Sequence, residues 1–441
     1  MAIEAAVGDL GRRALNKAAW RLLPLIGLGY GVAYMDRANI SFAALRMNAD
    51  LHFSATVYGL GAGLFFLSYA ALEVPSNLML IRFGARRWIA RIMLTWGLLA
   101  IGMLFVRTPV QFYAMRFLLG AAEAGFFPGV IFYLTQWFPA EQRGRAISRF
   151  YIAWPLSTVV MGALAGTLLG LQGRLGLAGW QWLFLLEGLP AIVLSVVFLI
   201  ALPDGPQDAS WLTEEERGWI LARIAADQAA YGCDDHDGLI RTLTDRRVLI
   251  LGLSSLCIIG TGYAFNLSAP AVLEGATHLG VARVGYLMAL SGVLGAIAMV
   301  WNASHSDRRQ ERRWHVAIPL ALTAVAYPAM GLSGDPRVVI LAFVITAIGS
   351  YAVQAVFWSI PGEMLKGRSA GVGVAAIGSI SMFGAFIGPW AWGVARDQTG
   401  GYRLGLVCLA VPLLIAAAIV VLGARRRASS AALEASLAGT S

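Results

Sequence analysis

The chain has 441 residues, of which 58% are hydrophobic and only 13% are charged, and its mean hydropathy is +0.68. This composition excludes a soluble globular domain and predicts an all-α polytopic membrane protein. A formal net charge of +9 would favour nucleic-acid binding in a soluble protein. Here the basic residues cluster in short joints between apolar runs, so no nucleic-acid partner is expected.

Twelve apolar runs are long enough to form membrane-spanning helices, which need about 20 mostly apolar residues each. They lie at 20–45, 56–80, 88–106, 110–138, 146–170, 181–202, 248–273, 284–303, 315–332, 338–362, 369–393 and 402–423. Helices are expected because lipid offers no partner to unpaired backbone groups and because the alternating pattern of a membrane barrel is absent. The polar stretch 203–247 divides an amino-terminal six-helix bundle, 20–202, from a carboxy-terminal one, 248–423.

The basic residues also predict the orientation of the chain in the membrane. Joints on one side hold clusters of arginine, whereas joints on the other side hold isolated arginines. The clusters include Arg12 with Arg13, Arg86 with Arg87, and Arg425 to Arg427. Because basic joints stay in the cytoplasm, the terminal segments 1–19 and 424–441 are predicted to be cytoplasmic. The residues before Trp20 lack a cleavable signal pattern, so we expect a multi-pass protein of the cell (inner) membrane.

The first span contains YMDRAN, Tyr34 to Asn39, in which an acid and a base are adjacent in the middle of an apolar run. A charged side chain at membrane depth costs roughly 2.5 to 3.5 kcal/mol, so such residues face a bundle interior or an aqueous cavity and carry function. We therefore interpret Asp36 and Arg37 as part of a functional site.

The second span holds Tyr69 and Glu73, which are four residues apart and therefore share one helix face. Pro75 follows and marks a kink near the cytoplasmic end, where a carboxylate can meet water. A structural role for Glu73 is therefore favoured over a functional one. A tight basic hairpin, which also serves as an orientation anchor, is predicted in the next joint at Arg82, Gly84 and Arg86.

The fourth span carries RFLLGAAEAGFFPG, 116–129, with an arginine and a glutamate seven residues apart. Two helical turns separate Arg116 from Glu123, so both lie on one face about 10.5 Å apart, and we interpret that face as the cavity wall. The alternative is a buried pair that only locks helices together, because intramembrane charges often pair.

The sixth span contains Glu187 within GWQWLFLLEGLP, and a structural hydrogen-bonding role is favoured for this residue. In the polar stretch that follows, Thr213 stands three residues before Glu216, as in a capping box. This spacing predicts an amphipathic helix at the cytoplasmic surface. The DDHD run at 234–237 is interpreted as a solvated loop, so no metal site and no cofactor is expected.

The second half repeats the plan of the first, with the basic joint SDRRQERRWH after its second span, and this joint holds Asp307 and Arg308. Two six-span halves with matching hairpins are typical of a duplicated transporter that holds its substrate near the midplane between the halves. Trp358 of the tenth span either packs in the bundle or stacks on the substrate. Mid-membrane charges occur only in the first half, so proton and anion chemistry are assigned there and shape selection to the second half.

The chain resembles the major facilitator superfamily in YMDRAN, VPSNLMLIRFGARRW, RFLLGAAEAGFFPG, WFPAEQRGRA and GWQWLFLLEGLP. More narrowly, it is similar to the anion:cation symporters, the phthalate, tartrate, hexuronate and galactonate permeases, from about Trp20 to Arg425. The resemblance implies the major facilitator fold, with twelve transmembrane helices in two pseudo-symmetric six-helix halves, and proton-coupled import of organic acids. It also implies that Asp36 and Glu123 carry protons, that Arg37 and Arg116 meet the substrate carboxylate, and that Tyr34, Tyr69 and Trp358 line the cavity.

Two departures from the family pattern affect these expectations. Ile81 stands where the superfamily hairpin usually has Asp, so a conformational latch in the first half must rest on arginines, while Asp307 keeps the acid in the second half. Gly378 and Met382 stand where sugar-acid permeases tend to have Asn. An unpaired hydroxyl in a dry pocket costs about 1 to 3 kcal/mol, so a less hydroxylated, aromatic carboxylate is favoured as the substrate near Gly378.

These features predict a secondary active transporter that takes up an organic carboxylate (an aromatic acid, dicarboxylate or sugar acid) with protons by alternating access. The alternative is an exporter of aromatic or drug-like organic acids. The sequence shows no nucleophile, metal-cluster or cofactor motif of a membrane enzyme, and neither the sensing domain of a receptor nor the charged ring of a channel. The expected partners are a small organic anion, protons and the lipid bilayer, and the protein is expected to be a monomer.

Overall fold

The structure is a computed structural model that describes residues 2–230, 244–364 and 368–438, with side chains described at 9–227, 244–361 and 373–422. Within the described chain the regular structure is helical and contains no strand. The DDHD run at 234–237, which the sequence analysis interprets as a solvated loop, lies outside the described residues.

Sixteen α-helices occur in the described residues and are numbered here in chain order. They are α1 (Ala2–Asp50), α2 (Ala55–Phe83), α3 (Ala85–Gly102), α4 (Pro109–Glu123), α5 (Phe126–Thr135), α6 (Ala140–Tyr151), α7 (Ala153–Leu169), α8 (Gly179–Ala201), α9 (Glu214–Ala230), α10 (Arg246–Asn266), α11 (Ala269–Thr277), α12 (Val281–Arg309), α13 (Arg313–Leu332), α14 (Pro336–Met364), α15 (Arg368–Thr399) and α16 (Arg403–Ala438).

Eleven helical segments of the described chain are long and apolar enough to cross a membrane, and they coincide with the eleven predicted runs after the first. The twelfth span is α1, in which Asp36 and Arg37 interrupt the apolar run. The predicted all-α fold with twelve transmembrane helices is thus confirmed. The run predicted at 110–138 is broken into α4 and α5, because Gly125 takes a left-handed conformation with φ 86°.

The chain forms two compact units, one of Met1–Leu51 and Leu64–Asp234 and the other of His52–Gly63 and Asp235–Ser441. In the first unit, α3 and α8 approach closely where glycines face each other. A Cβ atom on Gly97 would lie 2.8 Å from the backbone oxygen of Gly188, so no side chain fits there without movement. Such small-residue contacts are how helices pack tightly where lipid supplies no hydrophobic drive.

Helix α9 of the polar stretch belongs to the first unit, where a side-chain ion pair fixes it to α1. The predicted capping box is confirmed, since the backbone N–H of Thr213 donates to the Glu216 carboxylate (3.1 Å) and the Glu216 N–H donates to the Thr213 hydroxyl (3.2 Å). Lys17 of α1 forms an ion pair with Glu216 at 2.7 Å. Burial raises the pKa of Glu216, but the hydrogen bonds from Lys17 and Thr213 outweigh it and lower the pKa below its usual value.

The second unit is built around contacts between α10 and α15. A Cβ atom on Gly260 would lie 3.0 Å from the backbone oxygen of Gly384, so these two helices also meet through glycines. The first turn of α2 belongs to this unit, because the Asp397 carboxylate accepts hydrogen bonds from the N–H groups of Ala55 (3.0 Å) and Thr56 (2.7 Å). A carboxylate at this position satisfies N–H groups that have no partner inside their own helix.

Candidate functional site

Helices α1, α4 and α8 of the first unit place ionisable and amide side chains inside the bundle. We call this set the buried polar cluster, and its members are Asp36, Arg37, Asn39, Arg116, Glu123 and Glu187. All except Arg37 are at most 2% exposed to solvent. The four charged residues predicted from the sequence to share a site are therefore brought together, since electrostatic interactions link Asp36 to the other three.

An ion pair between α1 and α4 lies at the centre of the cluster. The Nε and Nη2 atoms of Arg37 both donate to Oε1 of Glu123, at 2.9 and 2.6 Å. The Glu123 side chain is completely buried, whereas 15% of the Arg37 side chain is exposed. Arg37 is thus a cation that keeps a small exposed fraction while a buried carboxylate accepts two of its N–H groups.

Aromatic rings surround the Arg37 guanidinium. Its Cζ atom lies 5.2 Å from the ring centre of Tyr34, 5.0 Å from that of Tyr69 and 5.6 Å from that of Phe65. The Arg116 guanidinium lies 4.8 Å from the Phe65 ring, so both arginines contact one phenyl ring. Cation–π contacts of this kind stabilise a desolvated cation and fix its position. Phe65, which was not among the predicted site residues, stands four residues before Tyr69 and so shares its helix face.

The other two carboxyl groups of the cluster, Asp36 and Glu187, lie near each other and near Asn39. The Asp36 oxygens are buried and make no hydrogen bond within the described residues, and Asp36 interacts electrostatically with Glu187 of α8. The Glu187 carboxyl faces the amide of Asn39, without the geometry of a formed hydrogen bond. The structure therefore places Glu187, for which the sequence favoured a structural role, and Asn39, to which it gave none, in the buried polar cluster.

The position of Glu123 depends on a break in the fourth span. Glu123 is the last residue of α4, and Ala124 leaves the helical conformation. Gly125 follows with φ 86°, a conformation that costs other residues about 1 to 2 kcal/mol. A Cβ atom on Gly125 would also lie 2.6 Å from Cβ of Ser76. Glycine is therefore required at the position that ends α4 beside the Arg37 pair.

Glu73 lies one turn beyond Tyr69 on α2 and is half-buried. It interacts electrostatically with Arg37, and its backbone oxygen accepts a hydrogen bond from the Asn77 amide at 2.8 Å. Glu73 thus lies at the edge of the buried polar cluster.

The first-half hairpin contains an acid that sequence analysis overlooked. The backbone N–H of Arg86 donates to Oδ1 of Asp204 at 2.9 Å, and the Arg86 guanidinium lies 3.8 Å from Oδ2. Gly84 turns the chain with φ 86°, and Arg82 lies over the Phe83 ring at 5.5 Å. Because position 81 is Ile, the sequence predicted that only arginines would stabilise this hairpin. The structure instead supplies an acid, Asp204, from a distant part of the chain. Asp204 lies 118 residues further along the chain, and no local pattern indicates its partner.

The second-half hairpin has a local acid, as the sequence indicates. Asp307 accepts a hydrogen bond from Arg312, while Arg308 is exposed. The Glu311 carboxylate accepts from the backbone N–H of Trp314 at 3.0 Å and pairs with His315 at 2.8 Å. Burial raises the pKa of Glu311, but these partners outweigh it and hold the pKa below its usual value.

Two predicted cavity residues belong to the second unit and are described with it. Trp358 is half-buried, packs against the hydrophobic core of that unit, and meets Phe357 edge-on with ring centres 5.7 Å apart. A Cβ atom on Gly378 would meet nothing within 4 Å, so this part of α15 has room for a side chain or a ligand.

Comparisons with known proteins agree with this architecture. The family model described as Major Facilitator Superfamily matches residues 26–389. A protein of Agrobacterium vitis named "Putative tartrate transporter" is 44% identical over 95% of this chain and 92% of its own length. A protein of Acinetobacter baumannii named "Quinolone resistance transporter" is 38% identical over 92% of this chain and 94% of its own length.

Among solved structures, the chain is similar to a bacterial homolog of the human lysosomal transporter Spinster in an inward-facing, unoccupied conformation. That similarity has a TM-score of 0.77 at 19% sequence identity, and it covers 92% of this chain and 97% of the other. At this identity the comparison concerns the fold.

Proposed function

Since the chain belongs to the Major Facilitator Superfamily, whose members are transporters rather than enzymes, we propose that it takes up a small organic carboxylate together with protons across the inner membrane. The observation that carries this proposal is Arg37, a partly exposed cation whose other side is held by the fully buried Glu123. A cation with this exposure suits an anionic substrate that arrives from an aqueous cavity.

Substrate binding and proton binding are coupled at Arg37. A substrate carboxylate that bonds the guanidinium competes with Glu123 for the same donors, because Arg37 offers both Nε and Nη2 to a single Glu123 oxygen. When the substrate takes these donors, the completely buried Glu123 loses its hydrogen-bonded cation, and a buried charge without such a partner costs several kcal/mol. Glu123 therefore takes up a proton as the substrate binds.

Asp36 is the second proton carrier in this proposal. The buried polar cluster holds three carboxyl groups, at Asp36, Glu123 and Glu187, and two arginines, Arg37 and Arg116. With every group ionised, the cluster would carry one net negative charge, and a bound proton removes it. Asp36 is suited to hold this proton because its oxygens lack a hydrogen-bond donor in the described part of the chain.

The geometry also bears on the substrate class. Arg37 and Arg116 both lie against the Phe65 ring, and two cations beside one ring favour a dicarboxylate. The relative named for tartrate points in the same direction, since tartrate carries two carboxylates. Tyr34 and Tyr69 around Arg37 are compatible with the less hydroxylated, aromatic carboxylate that the sequence favours. Tartrate is the first substrate to test, followed by aromatic mono- and dicarboxylates.

The test is uptake of labelled tartrate, or of the carboxylate that most strongly stabilises the purified protein, into proteoliposomes with an acidic exterior. We expect Asp36→Asn and Glu123→Gln to lose accumulation driven by the proton gradient, while exchange across the membrane persists. Arg37→Ala is expected to lose carboxylate binding itself. Full accumulation in both acid variants would overturn the proton assignment, and unchanged affinity in Arg37→Ala would remove Arg37 from the site.

A second candidate is export of aromatic or drug-like organic acids, which the relative named "Quinolone resistance transporter" favours. Inverted vesicles separate the two candidates. An exporter accumulates the acid in inverted vesicles energised by an acidic interior, whereas an importer releases it.

A further inference from the structure

Apart from the buried polar cluster, the first unit has a polar groove of about 730 Å³ between the start of α1, helix α6 and helix α9. We call it the basic groove and define it by Arg12, Leu15, Arg145, Arg149, Trp219 and Arg223. Its lining shares no residue with the buried polar cluster. It lies on the side of the chain that the charge distribution assigns to the cytoplasm.

The groove concentrates positive charge that the protein leaves unbalanced. Arg223 is neutralised by Glu141 at 2.6 Å. By contrast, Arg12, Arg145 and Arg149 have no acidic side chain within ion-pair distance in the part of the chain whose side chains are described. Arg145 and Arg149 are four residues apart and so share one face of α6. Like charges that converge on one groove repel each other, and a bound anion removes that repulsion.

The walls of the groove are fixed before any ligand arrives. Helix α9 is tied to α1 by the Lys17–Glu216 ion pair, and Gly11 is needed because a methyl group there would overlap the Trp219 ring. Helix α9 is also tied to α6, where the backbone N–H of Ala140 donates to the Asp227 carboxylate at 2.7 Å. A preformed site loses less binding free energy to ordering than a flexible one.

The lining indicates the chemistry of the ligand. Planar guanidinium groups bind phosphate through paired N–H donors, and three of them match a group with several anionic oxygens better than a single carboxylate. The α1 wall then continues from Arg12 through Leu15 and Ala19 to Leu23, which is about 16 Å of helix leading towards the first span. A ligand that follows this wall has an apolar part beyond its anionic part.

We propose that the basic groove binds a phosphate group, and that an anionic phospholipid of the cytoplasmic leaflet carries this phosphate. The phosphate lies among Arg12, Arg145 and Arg149, and the glycerol and upper acyl region lie over Leu15 and Leu23, which line the groove although both are less than a tenth exposed. Each arginine near the surface of this leaflet increases the affinity of a basic segment for anionic lipid about fivefold. The lipid thereby stabilises the junction of α1, α6 and α9.

The test measures binding to the full-length protein, purified in an uncharged detergent, by calorimetric titration with three probes. They are short-chain phosphatidylglycerol, short-chain phosphatidylcholine and glycerol 3-phosphate. We expect phosphatidylglycerol to bind most tightly, Arg12→Gln to weaken it about fivefold, and replacement of Arg12, Arg145 and Arg149 by Gln to weaken it about a hundredfold. The matched control is Arg13→Gln, since Arg13 lies next in the chain, outside the groove, and pairs with Asp9.

Other results would overturn the binding site or the lipid as the source of its phosphate. Equal binding of phosphatidylcholine, or equal weakening by Arg12→Gln and Arg13→Gln, would overturn the site, because either result is a general response to lipid or net charge. Glycerol 3-phosphate binding as tightly as phosphatidylglycerol would keep the phosphate site but overturn the lipid as its source. If the triple variant does not fold, the comparison of the two single variants decides. Transport is not measured, so the result is independent of the proposed function.

Discussion

The Arg37–Glu123 pair makes a quantitative prediction about stability. Arg37→Ala removes the ion pair of a completely buried carboxylate, and Glu123→Ala removes that carboxylate from Arg37. Removing one partner of a buried pair costs about 3 to 5 kcal/mol. Because 15% of Arg37 is exposed, we expect a value near 3 kcal/mol, or roughly 6 to 12 °C in unfolding temperature for a unit of about 200 residues. Removing both partners leaves no unpaired charge, so the double variant should lose less than the sum of the single variants.

The assay is a double-mutant cycle on unfolding of the purified protein in detergent, with the exposed Arg13 and Asp9 pair as a control. That control pair lies at 3.7 Å with both side chains 63% exposed, and its coupling should stay below about 0.5 kcal/mol. We expect a coupling of about 2 kcal/mol or more for Arg37 and Glu123. If the losses of the two single variants add up to the loss of the double variant within about 0.5 kcal/mol, the pair does not hold α1 to α4. The coupling of substrate and proton binding proposed at Arg37 would then fail as well.

Three further predictions concern other parts of the first unit. Gly125→Ala should reduce the free energy of unfolding by at least the cost of a left-handed conformation, about 1 to 2 kcal/mol, and so lower the unfolding temperature. Gly144→Ala, at a helical position with open space, should be neutral or stabilising, and equal effects of the two variants would contradict the argument from φ. Asp204→Asn should slow transport without changing substrate affinity, because it removes the charge held by the first hairpin, and the exposed Asp208→Asn should leave the rate unchanged. Glu216→Gln should increase hydrogen exchange of α9 about fivefold at pH 7, for a loss of about 1 kcal/mol of capping and pairing. Since the pKa of Glu216 is lowered, its contribution is present above the usual pKa of about 4.5 and is lost as pH falls through the lowered value. The difference in exchange between the variant and the parent should therefore shrink as the pH is lowered below the usual pKa of this group, and a difference that stays constant would contradict this assignment.

Features that depend on short stretches of sequence could be predicted without the structure. The twelve spans follow from the length of the apolar runs, and the start of α9 follows from the spacing of Thr213 and Glu216. The importance of Asp36, Arg37, Arg116 and Glu123 also follows, because a charge in an apolar run is costly wherever the run lies in the fold. The positions of these groups on helix faces need only the helical repeat.

Only the tertiary structure decided which of these side chains meet. Arg37 and Glu123 are 86 residues apart, Arg86 and Asp204 are 118 apart, and no spacing rule joins residues on different helices. For the same reason the sequence could not place Glu187 beside Asn39, since their meeting depends on how α1 and α8 pack. The free energy of placing an apolar run in the membrane depends on the composition of that run alone. A buried charge, by contrast, is stabilised by whichever partner the packing of the helices brings to it. The sequence by itself therefore determined which residues must be paired, and the fold determined their partners.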